Sequence, residues 1–209
     1  MELRYEVPSL KRKEQAIEYI KEFQEYGSDI NGVGGLDRYL NDYEGWLEKL
    51  EEDYNRIPSE EKVPARTYFL VRNSDDRIVG MINIRLALNE KLRNYGGNIG
   101  YSIRPTERRK GYNKINLYLG LKICQQYDIK EVLMDCDKYN LGSAKTMLAF
   151  GAKLKREYYS KQYDEVIQDY IIDVDKAIEE NKEKYEGGKG NGEFDSGIRT
   201  TSSWKNDGR

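Results

Sequence analysis

The 209-residue sequence contains no histidine. This absence excludes catalysis by Ser-His-Asp or Cys-His groups and removes the commonest zinc ligand, and we expect no metal site. Only two cysteines are present, Cys124 and Cys136, and they form neither a CxxC motif nor a disulfide framework. Such sparse cysteine usage is typical of a reducing compartment, so we expect a cytoplasmic protein.

Long apolar runs are also absent. No stretch approaches the ~20 apolar residues that a membrane-spanning helix requires, and the first residues lack the apolar core of a secretory signal. Charged residues make up 34% of the chain, yet the formal net charge is only -2. Because a general nucleic-acid binder usually carries a basic excess, we expect binding to neither membranes nor nucleic acids.

Apolar periodicity predicts one mixed α/β domain over residues 1–186. Predicted helices lie at 10–25, 36–54, 114–127, 140–150 and 175–185, and predicted strands at 67–72, 77–86, 98–104, 131–137, 153–159 and 164–174. This order predicts a largely antiparallel sheet with helices on both faces, in which the strands flanking the 114–127 helix lie parallel. Residues 187–209 are rich in glycine and lack apolar periodicity, so we expect a disordered tail there.

A basic turn between the 98–104 strand and the helix that follows it carries the clearest functional signal. It reads Arg108-Arg109-Lys110-Gly111-Tyr112-Asn113. A helix N-terminus leaves backbone N–H groups unpaired, and Gly111 allows a ligand to approach the backbone closely. Cations at a helix N-terminus oppose the helix dipole, which favours a bound phosphate or diphosphate over a plain solvated turn.

This turn resembles the diphosphate loop of the GNAT family of N-acetyltransferases, Q/R-x-x-G-x-G/A. Arg108 stands at the Q/R position, Gly111 at the glycine and Asn113 at the G/A position. A second run, from Asn140 through Ser143 to Gly151, is similar to the family's N-x-x-S/A…G segment, although Asn140 is also a common helix cap. The resemblance covers residues 67–170 and extends to small bacterial acetyltransferases of unassigned substrate.

The resemblance implies direct transfer of an acetyl group from acetyl-CoA to the amine of a small molecule or peptide. The diphosphate is expected at residues 109–114 and the pantetheine along the strand that contains Tyr101. The cofactor-binding residues implied are Tyr101, Ser102, Ile103, Arg108, Arg109, Lys110, Gly111, Tyr112, Asn113, Lys114, Asn140 and Ser143. The acceptor and the oligomeric state, including a homodimer, stay open.

Proton transfer has three candidate residues. Tyr158 and Tyr159 are candidate proton donors, against the alternative that they only pack. Asp135 shares a strand face with Asp137, so it is a candidate acceptor for the ammonium proton or an attractant for a cationic substrate. The alternative for this acidic pair is a solvated strand end.

Three departures from the family pattern motivate a second hypothesis. Asn113 is larger than the expected glycine or alanine, Met147 replaces a tyrosine that acts as a general acid in several members, and relatives often carry histidine at Asn98. These departures favour a catalytically weak or inactive acyl-CoA sensor as the alternative. A third hypothesis, an anion-binding module for nucleic acid or phosphoprotein, is disfavoured by the near-neutral charge.

Overall fold

The computed structural model describes residues 2–186, which form seven strands and six α-helices. The tail expected at 187–209 lies outside these residues. The strands are β1 (Leu3–Glu6), β2 (Ala65–Arg72), β3 (Arg77–Arg85), β4 (Ile99–Ile103), β5 (Glu131–Asp137), β6 (Lys153–Ser160) and β7 (Glu165–Asp173). The helices are α1 (Lys13–Glu25), α2 (Tyr43–Tyr54), α3 (Glu90–Asn94), α4 (Tyr112–Gln126), α5 (Leu141–Leu148) and α6 (Val174–Glu186).

The strands form two antiparallel sheets. The first has the order β1-β2-β3-β4 and the second the order β5-β7-β6. The predicted mixed α/β fold with antiparallel pairing and helices on both faces is confirmed. The predicted hairpin is also present, because β2 pairs with β3 across the turn at 73–76.

The relationship between β4 and β5 differs from the prediction. They were expected to lie side by side in one sheet, but within residues 2–186 no ladder pairs them. They meet at Asn98, whose N–H donates to the Leu133 carbonyl over 2.6 Å and whose Oδ1 accepts from the Leu133 N–H over 2.9 Å. Beyond this contact no ladder joins β4 to β5 within residues 2–186, and the unpaired gap between the two strands is referred to as the cleft.

Alternating side chains give the first sheet two buried faces. On one face, Ile82 and Ile84 of β3 pack in the same cluster as Leu117 and Leu121 of α4. On the other face, the cluster contains Phe69 and Met81 of the sheet together with Phe23 of α1 and Trp46 of α2. The sheet is therefore sandwiched between α4 and the α1–α2 pair.

Two elements were not predicted from the sequence. Strand β1 has only four residues, too few for a periodic signal, and is stabilised by pairing with β2 and by stacking of Tyr5 on Tyr68 at 5.1 Å. Helix α3 has five residues and begins where the Asn89 side chain accepts from the Leu92 N–H. Tertiary contacts and a local cap, rather than periodicity, determine both elements.

Candidate active site

The connection from β4 to α4 is held at its base by a buried arginine. Arg104 is fully buried, donates to the Ile78 carbonyl over 3.0 Å and forms an ion pair with Glu22 at 2.9 Å. Glu22 in turn accepts from the Thr106 N–H over 2.9 Å. Burial alone would raise the pKa of Glu22, but the hydrogen bonds from Thr106 and Arg104 outweigh it and lower that pKa.

A second buried carboxylate fixes the start of the basic turn. Glu107 binds Arg72 at 2.7 Å, Arg77 at 3.4 Å and the Lys110 ammonium at 2.7 Å. Burial opposes ionisation of Glu107, yet the hydrogen bonds from Arg72 and Lys110 lower its pKa overall. Lys110, a predicted cofactor-binding residue, therefore forms an ion pair with Glu107, and its contact with the cofactor stays a prediction.

The backbone of the basic turn offers free donors. Gly111 has a φ of +83°, and the space beside its Cα holds no atom within 4 Å of an added Cβ. The Arg108 N–H donates to Pro105 and the Lys114 N–H to Gly111. Between them, the N–H groups of residues 109–113 have no acceptor among the described residues. Such consecutive free donors at a helix N-terminus fit the diphosphate of a CoA thioester.

The side chain of Arg108 points away from these donors. Its Nε donates to the Ile103 carbonyl over 3.3 Å, and its Nη1 donates to Ser28 Oγ over 2.9 Å. The guanidinium carbon also lies 5.3 Å from the centre of the Phe23 ring. Arg108 thus contacts helix α1 and the loop at 26–35. The exposed Arg109 comes next in the turn, in a left-handed conformation with a φ of 64°.

Polar side chains gather where α4 and α5 approach each other at the cleft. The Tyr101 hydroxyl lies 2.8 Å from Ser143 Oγ, and burial raises the pKa of Tyr101. Asn113 donates to Thr146 Oγ1 over 3.4 Å, while its own Oδ1 is buried without a partner in the described residues. The structure therefore brings the predicted residues Tyr101, Asn113 and Ser143 together around a buried acceptor atom, Asn113 Oδ1, that has no partner in the described residues.

Other predicted cofactor residues have structural contacts of their own. The Asn140 side chain caps α5 by accepting from the Ser143 N–H over 3.1 Å. The Ser102 side chain turns towards α1 and accepts from the Tyr19 hydroxyl over 3.0 Å. Tyr112 and Ile103 are buried in a small apolar cluster with Leu70 and Leu119. Ser102, Ile103 and Tyr112 are buried, so only their main chain or the edge of the Tyr112 ring remains for a ligand. Asn140 is exposed, and its Nδ2 has no partner among the described residues.

The three predicted proton-transfer residues do not share one face of the second sheet. The β-sheet register places Asp135 and Tyr158 on the same face and Tyr159 on the opposite one. Asp135 accepts from the Gly96 N–H over 2.8 Å, and Tyr158 donates to the Asn94 carbonyl over 3.2 Å. Burial raises the pKa of Tyr158 to about 12. The Tyr159 hydroxyl is bonded to Asp164 beside the β6–β7 turn.

Comparison with known protein families shows to which family this chain belongs. The family described as "Acetyltransferase (GNAT) domain" matches residues 17–153. The chain belongs to the GNAT family. As a GNAT acetyltransferase it is an acyltransferase, and acetyl-CoA is its acyl donor. A search of curated protein sequences finds no match.

Solved GNAT structures share its fold. The ribosomal-protein-S5-alanine acetyltransferase from Vibrio fischeri is 13% identical, with a TM-score of 0.62 over 84% of this chain and 94% of that one. The ribosomal L7/L12 α-N-protein acetyltransferase RimL, solved with coenzyme A, is 13% identical, with a TM-score of 0.62 over 84% and 96%. The microcin C7 self-immunity acetyltransferase MccE, solved with acetyl-CoA and AMP, is 19% identical, with a TM-score of 0.60 over 82% and 92%.

The structural contacts of several residues near this GNAT site were not predicted from the sequence. Met147, at the position where several GNAT members carry a catalytic tyrosine, is fully buried in the main core. Asn98 joins the sheets, and Arg85 donates to the carbonyls of Gly96 and Gly97 at 2.8 Å each. No sequence signal pointed to these contacts, except that Asn98 is a polar residue at the start of an apolar strand.

Neither cysteine of this GNAT protein has the environment of a nucleophile. Burial raises the pKa of Cys136 to about 11 and that of Cys124 to about 12. Residues 2–186 contain no group of three or more histidine, cysteine, aspartate or glutamate side chains placed to hold a metal ion. None of the helices within this range is long and apolar enough to cross a membrane.

Proposed function

We propose that this GNAT protein transfers the acetyl group of acetyl-CoA directly to the amine of a small molecule or peptide. The observation that carries the proposal is the run of free N–H groups at residues 109–113, which lies beside open space at Gly111 and next to the unpaired cleft between β4 and β5. Bound acetyl-CoA supplies the acetyl group as an activated thioester.

Each side of the cleft has a proposed task. The N–H groups of residues 109–113 bind the diphosphate, with positive charge from Arg109 and Lys114. The outer edge of β4, at residues 101–103, has no partner strand in the described residues and holds the pantetheine. Holding donor and acceptor together can lower the barrier by roughly 7–11 kcal/mol, so modest acid–base assistance is sufficient.

The amine enters on the face of the second sheet that carries Asp135. In this proposal Asp135 accepts a proton from the ammonium group, and the neutral amine attacks the thioester carbonyl. The C–S bond then breaks, and Tyr158, which shares the face of Asp135, donates a proton to the departing CoA thiolate. Tyr159, the other donor expected from the sequence, lies on the opposite face and has less support. Acceptors of more than one kind have precedent, since the neighbouring structures include a ribosomal L7/L12 α-N-protein acetyltransferase and a microcin C7 self-immunity acetyltransferase.

Two substitutions at one position test the diphosphate site. Asp and Asn have nearly equal size and both tolerate a positive φ, so Gly111→Asp and Gly111→Asn differ mainly in charge. Calorimetry with coenzyme A should show affinity at least about tenfold weaker in Gly111→Asp than in Gly111→Asn. Equal affinities, or no binding of coenzyme A by the wild type at millimolar concentration, would contradict the proposal.

The alternative is a catalytically weak acyl-CoA sensor, which the burial of Met147 at the general-acid position favours. A thiol-release assay with acetyl-CoA and a library of amines separates the two functions. Release above background for any amine, reduced in Asp135→Asn but not in the neighbouring Asp137→Asn, supports the enzyme. Tight binding of coenzyme A with background release across the whole library supports the sensor.

A further inference from the structure

The loop between α1 and α2 is anchored differently in its two halves. At the start, the N–H groups of Gly27 and Ser28 donate to carbonyls at the end of α1, and Ile30 packs partly buried against the core. The second half is buried more deeply. Val33 and Leu36 are buried in the core beneath α1 and α2. The Gly34 carbonyl accepts from Trp46 Nε1 over 3.1 Å and from Lys49 Nζ over 2.9 Å. These contacts fix residues 33–36 independently of the position of residues 27–32.

The first half, residues 27–32, lies directly on the main chain of β4. Gly32 has a φ of +72°, and a Cβ added to it would lie 2.3 Å from the Gly100 carbonyl oxygen and 2.5 Å from Tyr101 Cα. The backbone of this segment therefore touches β4 at the point where the proposed pantetheine edge begins. Side chains are excluded from the contact, because Gly32 faces Gly100.

One side chain connects this segment to the basic turn at residues 108–113, where the diphosphate is proposed to bind. The guanidinium of Arg108 donates both to Ser28 Oγ, at 2.9 Å, and to the last carbonyl of β4, at Ile103. The same residue immediately precedes the free N–H groups of residues 109–113. A ligand that immobilises those groups also fixes the backbone from which the Arg108 side chain extends.

We propose that Arg108 is a positioning residue that couples occupancy of the diphosphate turn to the order of residues 27–32. This inference rests on the proposed function, because the ligand of the turn is the diphosphate of CoA. Binding restricts the motion of Arg108, so its bond to Ser28 holds the segment against β4 for a larger fraction of the time. Bound acetyl-CoA thereby orders residues 27–32, which form the surface over which the amine reaches the cleft.

Hydrogen–deuterium exchange at saturating coenzyme A tests the coupling without knowledge of the acceptor. In the wild-type protein, coenzyme A should slow amide exchange at residues 109–114 directly and at residues 27–32 through Arg108, the latter by about fivefold or more. In Ser28→Ala and in Arg108→Ala the protection at 109–114 should persist, while the protection at 27–32 should be lost. Ser28→Ala removes one hydroxyl and keeps the inference testable if Arg108→Ala fails to fold.

Arg109→Ala is the matched control, because it removes a neighbouring guanidinium whose side chain does not bridge to Ser28. It should weaken the affinity for coenzyme A, but at saturation the protection at 27–32 should remain. Protection at 109–114 without any at 27–32 in the wild type overturns the inference, as does protection at 27–32 that survives Ser28→Ala. Absence of protection at 109–114 in the wild type overturns the proposed function itself.

Discussion

Oδ1 of Asn98 lies 2.9 Å from the amide nitrogen of Leu133 and takes the place of a backbone carbonyl at the junction of the two sheets. Asn98 is buried, with 3% of its surface exposed, so neither group can exchange its partner for bulk water. Its Nδ2 also donates to the Arg85 carbonyl over 3.2 Å. One side chain therefore connects β3, β4 and β5.

Replacing Asn98 with leucine of similar size should destabilise the protein. The buried Leu133 N–H would lose its acceptor, and an unsatisfied buried donor costs about 1–3 kcal/mol. Urea denaturation should show a decrease of that size in the free energy of unfolding. The exposed Asn41→Ala serves as control and should change it by less than about 0.5 kcal/mol; equal effects of the two substitutions would argue against the junction.

Stability should depend on pH through Glu107. The folded-state pKa of Glu107 is below its ordinary value of 4.5, because the hydrogen bonds from Arg72 and Lys110 outweigh the effect of burial. Its stabilising contribution is therefore complete above that ordinary value and is lost as the pH falls through the folded-state pKa. The difference in unfolding free energy between wild type and Glu107→Gln should shrink from about pH 7 to about pH 3.

An exposed carboxylate provides the comparison for Glu107. Glu25, at the end of α1, makes no ion pair within the described residues. Glu25→Gln removes a carboxylate without breaking an ion pair, so its difference from wild type should change less over this pH range than the difference for Glu107→Gln. A constant difference for Glu107→Gln would show that its ionisation does not contribute to folding.

Gly32→Ala should be far more destabilising than Gly27→Ala. Both glycines have positive φ, so both substitutions cost about 1–2 kcal/mol in backbone strain. Only at Gly32 does the new Cβ also collide with the main chain of β4, whereas nothing lies within 4 Å at Gly27. Thermal denaturation should therefore show the lower melting temperature for Gly32→Ala, and similar values would mean that residues 27–32 do not rest on β4.

Both thiols should react slowly in the folded protein. A thiol with a pKa of about 11, as at Cys136, is ionised in only roughly one molecule in a thousand at pH 8. A disulfide reagent should label neither cysteine quickly until a denaturant is added, when two thiols should react. Rapid labelling of the native protein would contradict the burial of Cys124 and Cys136 and would also interfere with thiol-release assays.

Local patterns in the sequence predicted most of the elements and the glycine-bearing turn at the start of α4. The β2–β3 hairpin and the turn before α4 are encoded within short segments, by alternation and by Gly111 at a helix start. The missed features depend on partners far away in sequence: Asn98 binds Leu133, and Arg104 binds Glu22 of α1. A polar residue in an apolar strand indicates that some partner exists, but only the folded chain identifies it.

The amide of Asn98 is neutral at every physiological acidity. An imidazole at the same place would gain a proton in mildly acidic medium and would exchange an acceptor for a donor beside Leu133. The Asn98 side chain at the junction of the two sheets therefore keeps the same hydrogen bonds below and above neutral pH. A change of turnover across that range therefore cannot come from titration of the residue at this junction.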